Sequence, residues 1–143
     1  MKKKSVSAAD SKMQKWHKLA CEVRGRAYAP YSKYHVGSAI VLTTGEVFTG
    51  CNVENASYGG TNCAERTAIF KAISEKGKIK ITDVVVVVDE KEAWPPCGLC
   101  RQVISEFAIP GKTKVHFGNL DGIQRTLKFT DLMPFVFDKK HLS

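Results

Sequence analysis

No apolar run in this chain approaches the roughly 20 residues that a membrane-spanning helix needs; the longest is Val84–Val88. An export signal is missing too. Lys2, Lys3 and Lys4 could imitate a charged leader, but Ser5–Asp10 is polar where an apolar stretch would have to follow. Cysteines number five, and an odd count argues against a disulfide framework. There is no internal repeat, low-complexity segment, linker, dense basic run or RNA-binding motif. These absences imply a single cytoplasmic domain over residues 1–143 with reduced thiols, of which residues 1–10 would be a flexible basic tail.

What is present suits an ordinary globular fold. The 143 residues are 43% hydrophobic and 25% charged, and a chain of this length buries about two-thirds of its unfolded surface. Lys plus Arg is 22 against 14 for Asp plus Glu, a net charge of +8. Beyond the tail these cations are scattered, as Lys71, Lys80, Arg101, Lys112, Arg125 and Lys139 show. That placement describes a solvated basic surface and argues against nucleic acid as a partner.

Along the chain, Ser11 is placed to cap a helix reaching Ala27, with Trp16, Leu19, Ala20 and Val23 at core-facing spacing. Val36–Thr43 and Glu46–Val53 read as strands joined by a turn at Thr44-Gly45. After the polar loop Asn55–Asn62, Asn62 can cap a helix from Cys63 to Lys76 that Gly77 closes. Ile81–Val88 is a continuous β-branched run, as in a strand buried on both faces. A helix from Cys97 or Gly98 to Phe107 follows. Then come strands at Lys114–Phe117 and Gln124–Lys128 around Asp121-Gly122, and a short helix from Thr130. The order α-β-β-α-β-α-β-β-α implies a central sheet in a layered α/β domain.

The chemistry concentrates at two helix starts, Cys63-Ala64-Glu65-Arg66 and Pro96-Cys97-Gly98-Leu99-Cys100. A helix N-terminus carries roughly half a positive charge and free N–H groups, which favour thiolate over thiol. The spacing of Cys97 and Cys100 lets their sulphurs converge on one ion, and Cys63 would supply a third from the other helix. Structural zinc sites generally have four protein ligands. His17, His35, His116 and His141 all lie outside the two clusters, so no fourth ligand is evident. Three ligands leave an open position, the arrangement of a catalytic zinc site, one ion per chain. Cys21 and Cys51 read as small hydrophobes.

Arg66 shares a helix face with Cys63, where it can hydrogen-bond a thiolate and restore positive character to the metal. Glu65 follows a ligand by two residues and can reach a metal-bound water without binding the ion. Asn62 and Glu65 also have the spacing of a capping box, so the carboxylate could simply close the helix start. The Cys-x-x-Cys pair alone could be a redox dithiol, which would leave Cys63-Ala64-Glu65 unexplained. A Glu two residues after a Cys ligand, followed by Pro-Cys-x-x-Cys, is the pattern of the zinc nucleobase deaminases.

With these motifs the chain resembles the cytidine deaminases of the small, three-cysteine, homotetrameric kind. The resemblance runs from Ala27 to Phe137. It includes Ala29-Pro30-Tyr31-Ser32-Lys33-Tyr34, Gly50-Cys51-Asn52-Val53-Glu54-Asn55-Ala56, the two metal segments, and Leu132-Met133-Pro134 with Phe137. It implies a three-layer α/β/α sandwich around a mixed five-stranded sheet. It also implies hydrolytic deamination of cytidine and 2′-deoxycytidine to the uridine products and ammonia. In residue terms it implies Cys63, Cys97 and Cys100 as zinc ligands and Glu65 as proton carrier. Asn52 and Glu54 would hold the ribose 3′-hydroxyl, and the Ala64 backbone the base edge. Tyr34 would line the wall near the substrate, Phe137 would stack on the pyrimidine from a neighbouring subunit, and Ala56 and Tyr58 would lie on a loop reaching an adjacent site. Tyr34, His35 and Met133 depart from the family's usual residues and bear on substrate preference, not on reaction type. Three rival readings are a deaminase of polynucleotides, a deaminase of another aminated small molecule, and a zinc-stabilised binding module. The Asn-x-Glu pair, suited to a free ribose hydroxyl, separates the first two from a nucleoside enzyme. The want of a fourth ligand separates the third.

Overall fold

The β-branched run Ile81–Val88 is the centre of the molecule. The computed structural model describes residues 8–142. Its elements are α1 (Ala8–Arg24), β1 (Val36–Leu42), β2 (Val47–Cys51), α2 (Ala64–Lys76), β3 (Ile81–Val88), α3 (Gly98–Phe107), β4 (Lys114–Asn119), β5 (Gly122–Lys128) and α4 (Phe129–Leu132). Short helical turns add Tyr58–Gly60 and Lys139–His141. The strands form one sheet in the order β2-β1-β3-β4-β5, with β3 and β4 parallel and every other pair antiparallel. The sheet is therefore mixed and five-stranded, as expected.

Strand alternation divides the core between two faces. On one, Ile40, Val84, Val86, Val115 and Phe117 pack against Ala68, Ile69 and Ala72 of α2 and Ile104 of α3. On the other, Ala39, Val85 and Val87 meet Ala20 of α1, with Met13 and Trp16 at the margin. β3 thus serves both layers, and the α/β/α sandwich follows. Each fully buried Val or Ile stabilises it by roughly 1.5–3 kcal/mol relative to exposure. Glycines let the helices close in. A Cβ on Gly37 would stand 2.0 Å from the Ala20 carbonyl oxygen of α1, and one on Gly50 2.4 Å from the Ala68 nitrogen of α2.

Several boundaries differ from expectation. α1 begins at Ala8 and ends at Arg24. Ser11 therefore does not cap it; its hydroxyl donates to the Ala8 carbonyl inside the first turn. Residues 8–10 of the expected tail are helical, and Lys2–Lys4 lie outside the described residues. Of the four expected core positions on α1 only Ala20 is fully buried. β2 stops at Cys51, so Asn52 and Glu54 lie past the strand, in an extended segment where Val53 bridges Tyr28 and Asn62. β4 and β5 run longer than expected, to Asn119 and from Gly122, because the Asp121-Gly122 turn is tight.

Candidate metal centre and active site

α2 and α3 present their N-termini to the same point, each with a cysteine as the capping residue. Cys63 has φ −74° and ψ 158°, Cys97 φ −66° and ψ 169°, and neither side chain makes a capping bond. Asn62 is not the cap: its Nδ2 donates to the Thr67 hydroxyl. No capping box forms with Glu65, because one residue of register puts Cys63 at the boundary instead. The carboxylate is thereby released from the helix end.

Cys63, Cys97 and Cys100 bring their sulphurs within 4.8 Å of one another. The Cys63 and Cys97 sulphurs are 3.8 Å apart. Tetrahedral sulphur ligands about 2.3 Å from an ion stand about 3.8 Å from each other, so the donor set fits zinc. Cys100 is fully buried and Cys97 exposed, so the cluster is held from below and open above. Arg66 donates through Nη2 to the Cys63 sulphur at 3.5 Å and to the Thr61 carbonyl at 3.2 Å. With the Cys100 thiol donating to it first, and Arg66 and Cys97 after, Cys63 is lowered to about 5. Cys100, the donor, keeps its proton and moves the other way. A shared, arginine-supported thiolate is the state from which a cation is taken up.

Glu65 is 3% exposed. Burial pushes its carboxyl up to about 7, with the Cys63 charge adding to the rise and its own backbone N–H, the Cys100 thiol and Arg66 opposing it. It borders a cavity of about 230 Å³ together with Cys63, Cys97, Ala64, Asn52 and Glu54. The metal cluster, the carboxylate and the polar pair from the β2 edge are thus brought to one space.

The polar pair is already engaged. Asn52 accepts from the Val36 N–H at 2.8 Å and donates to the Tyr34 carbonyl at 2.8 Å. Glu54 accepts from the Tyr31 and Ser32 N–H groups at 2.9 and 3.2 Å and from the Ser32 hydroxyl. The Ser32 hydroxyl first, then these N–H groups, hold its carboxyl below the ordinary range against desolvation. Glu54 also borders a second, adjoining hollow with Tyr31, Ser32, Tyr58 and Thr61. Phe137 is not part of this chain's cavity. It is 55% exposed, stacks on His141 at 5.3 Å, and its carbonyl accepts from Gln102 Nε2 at 2.8 Å. Tyr58 is 75% exposed, and Ala56 is exposed beside it. Tyr34 packs edge-on against Trp94 with ring centroids 4.7 Å apart. Trp94 also lines the cavity. Sequence reasoning passed over it as loop; its one signal is an aromatic placed just before Pro95-Pro96-Cys97.

A buried acid beside a three-sulphur metal site defines a zinc hydrolase centre, and the chain belongs to the cytidine and deoxycytidylate deaminase zinc-binding family. The family's sequence model matches residues 10–117. Among similar proteins, the cytidine deaminase of Halalkalibacterium halodurans is 47% identical over 126 residues, covering 88% of this chain and 94% of that one. That of Sporosarcina psychrophila is 44% identical over 122 residues, covering 85% and 88%. The crystal structure of cytidine deaminase from Burkholderia pseudomallei superposes with a TM-score of 0.78 at 41% identity, over 87% of this chain and 98% of that one. The expected fold and zinc cofactor both stand. Among the described residues no helix is long and apolar enough to cross a membrane.

Proposed function

We propose that this chain hydrolyses cytidine and 2′-deoxycytidine to uridine and 2′-deoxyuridine with release of ammonia, a cytoplasmic step of pyrimidine salvage. The observation that carries the reading is geometric: Glu65 is buried and borders the same cavity as Cys63 and Cys97 of the three-sulphur cluster. Cys63, Cys97 and Cys100 would hold zinc, which when bound supplies Lewis acidity able to bring the pKa of a water toward about 7.

Glu65 then works in both directions. As base it takes a proton from the attacking water and passes it to ring N3, making C4 electrophilic. It then takes the proton of the new C4 hydroxyl and delivers it to the amino group, so the C4–N bond breaks as the carbonyl forms, water is consumed and ammonia released. A carboxyl held in the cavity beside the metal ligands is placed for both transfers, and positioned proton transfer is worth typically about 10²–10⁴-fold. Arg66 keeps electron density from accumulating on the Cys63 sulphur.

The sugar would be read by Asn52 and Glu54. Each end of the Asn52 amide uses one position on the backbone of residues 34–36. One amide hydrogen and one oxygen lone pair remain for the 3′-hydroxyl. The Ala64 N–H, in the first turn of α2 and free of an intrahelical partner, would hold the base edge. Tyr34 would wall the sugar side. Phe137, Ala56 and Tyr58, all exposed on the free chain, would complete the site of a neighbouring copy in a homotetramer. The test is incubation of the zinc-loaded chain with cytidine, 2′-deoxycytidine and single-stranded DNA. Loss of cytosine absorbance is followed and zinc is measured on the same sample. Turnover of the nucleosides alone is expected; no change at full metal loading overturns the reading, and preference for the polymer replaces its substrate.

A further inference from the structure

The loop between β3 and α3 is more constrained than its exposure suggests. On one side the Ala93 N–H donates to Gln124 Oε1 at 2.8 Å, and Gln124 Nε2 donates to the Lys91 carbonyl at 2.9 Å. On the other, Pro95 and Pro96 restrict φ, and the Pro96 carbonyl accepts from Arg101 Nε at 2.8 Å. Trp94 is held between these anchors. Its ring meets Tyr34 at 69°. The Tyr34 carbonyl is fixed by Asn52. The two aromatics thus sit on backbone that is pinned on both sides, Trp94 through Ala93 and Pro96 and Tyr34 through Asn52. Trp94 borders the cavity of Glu65, Cys63 and Cys97 yet keeps 38% of its surface exposed, more than a side chain serving only as core filling retains.

We infer that Trp94 is the surface of this chain against which the pyrimidine ring rests, and that it sets affinity for the base, not the rate of proton transfer. The inference rests on the deaminase reading. An indole face stacks on any base, and its position is prepared before substrate arrives, so little ordering is needed on binding. Glu65 and the metal centre keep the chemistry. Trp94 is an affinity-setting contact, with Tyr34 packed against it at 69°.

The chain has two tryptophans, and the other, Trp16, packs against the opposite face of the sheet. Tryptophan emission therefore isolates the proposed contact. Titrating the zinc-loaded chain with uridine, the product, should give a saturable quench that disappears in Trp94→Phe, since Trp16 is remote from the site. Trp94→Ala should raise KM for cytidine about tenfold or more, with kcat and zinc content close to wild type. Trp94→Phe should restore most of that affinity. Absence of a quench, a quench that survives Trp94→Phe, an unchanged KM, or a fall in kcat without a change in KM would each overturn the inference. If Trp94→Ala does not fold, the comparison of wild type with Trp94→Phe decides. Failure of the wild type to consume cytidine sinks the deaminase reading instead, and the uridine quench still reports on the wall.

Discussion

Glu65 and His116 are buried titratable side chains on opposite faces of one sheet, 3% and 2% exposed. Their surroundings differ completely. His116 faces α1, and both ring nitrogens are engaged, Nε2 with Asp83 Oδ1 and Nδ1 with Thr126 Oγ1, each at 2.8 Å. Glu65 faces the sulphur cluster. Among the described residues it forms no ion pair, and burial holds its carboxyl up to about 7. The first arrangement matches a buried polar group with partners, which fixes a side chain and stabilises a fold. The second is a cost to the fold, and it is what the proposed proton carrier requires. Equal burial therefore fits opposite roles, and what each group faces distinguishes them: His116 bonds Asp83 and Thr126 of its own sheet, whereas Glu65 borders the cavity of the sulphur cluster.

The comparison breaks most severely at the metal. Cys97→Ala should lose zinc and with it turnover, read by metal content and cytidine consumption together; full zinc retention would remove Cys97 from the ligand set. Next is the carboxylate. Glu65→Gln should keep one zinc per chain and lower kcat by about 10²–10⁴-fold or more, without loss of stability, because a neutral amide replaces an acid that burial disfavours as an anion. Substantial remaining activity would return Glu65 to a structural role like that of His116. Smaller again is Arg66→Ala. It strips the hydrogen bond from the Cys63 sulphur and should weaken zinc affinity by about 10–100-fold in a chelator competition. Unchanged affinity would make Arg66 a support for the Thr61 loop alone.

Much of this was legible beforehand, and the reasons are local. Ile81–Val88 became β3 at both predicted ends, since a β-branched run buried on two faces has no competing reading. Cys63, Cys97 and Cys100 converge as their spacing at two helix starts implied. What escaped depends on contacts far apart in sequence. The placement of Trp94 rests on the bond from its neighbour Ala93 to Gln124, which are 31 residues apart. Asn62 looked like a cap because Asn caps well, yet its amide found Thr67 and left the boundary to Cys63. The capping-box reading of Glu65 failed for the same reason. Its raised pKa follows from the packing of α2 on the sheet, which no spacing rule contains. Ser11 misplaced the start of α1 because a residue with a good capping side chain can equally sit inside a first turn.

The smallest effect tests the other face. His116→Leu keeps the volume near Trp16, whose ring lies 6.5 Å away, but deprives Asp83 and Thr126 of their shared partner. Leaving such groups unpaired costs about 1–3 kcal/mol, and urea unfolding of the zinc-loaded chain should show it. Asp83→Asn, which preserves a hydrogen bond to the ring, should cost less. Neither should change kcat for cytidine, because β3 and its flanking strands separate His116 from the cavity. A loss of kcat in His116→Leu at full zinc loading would mean that the two faces are coupled through β3, and the division between a structural and a chemical side of this sheet would have to be abandoned.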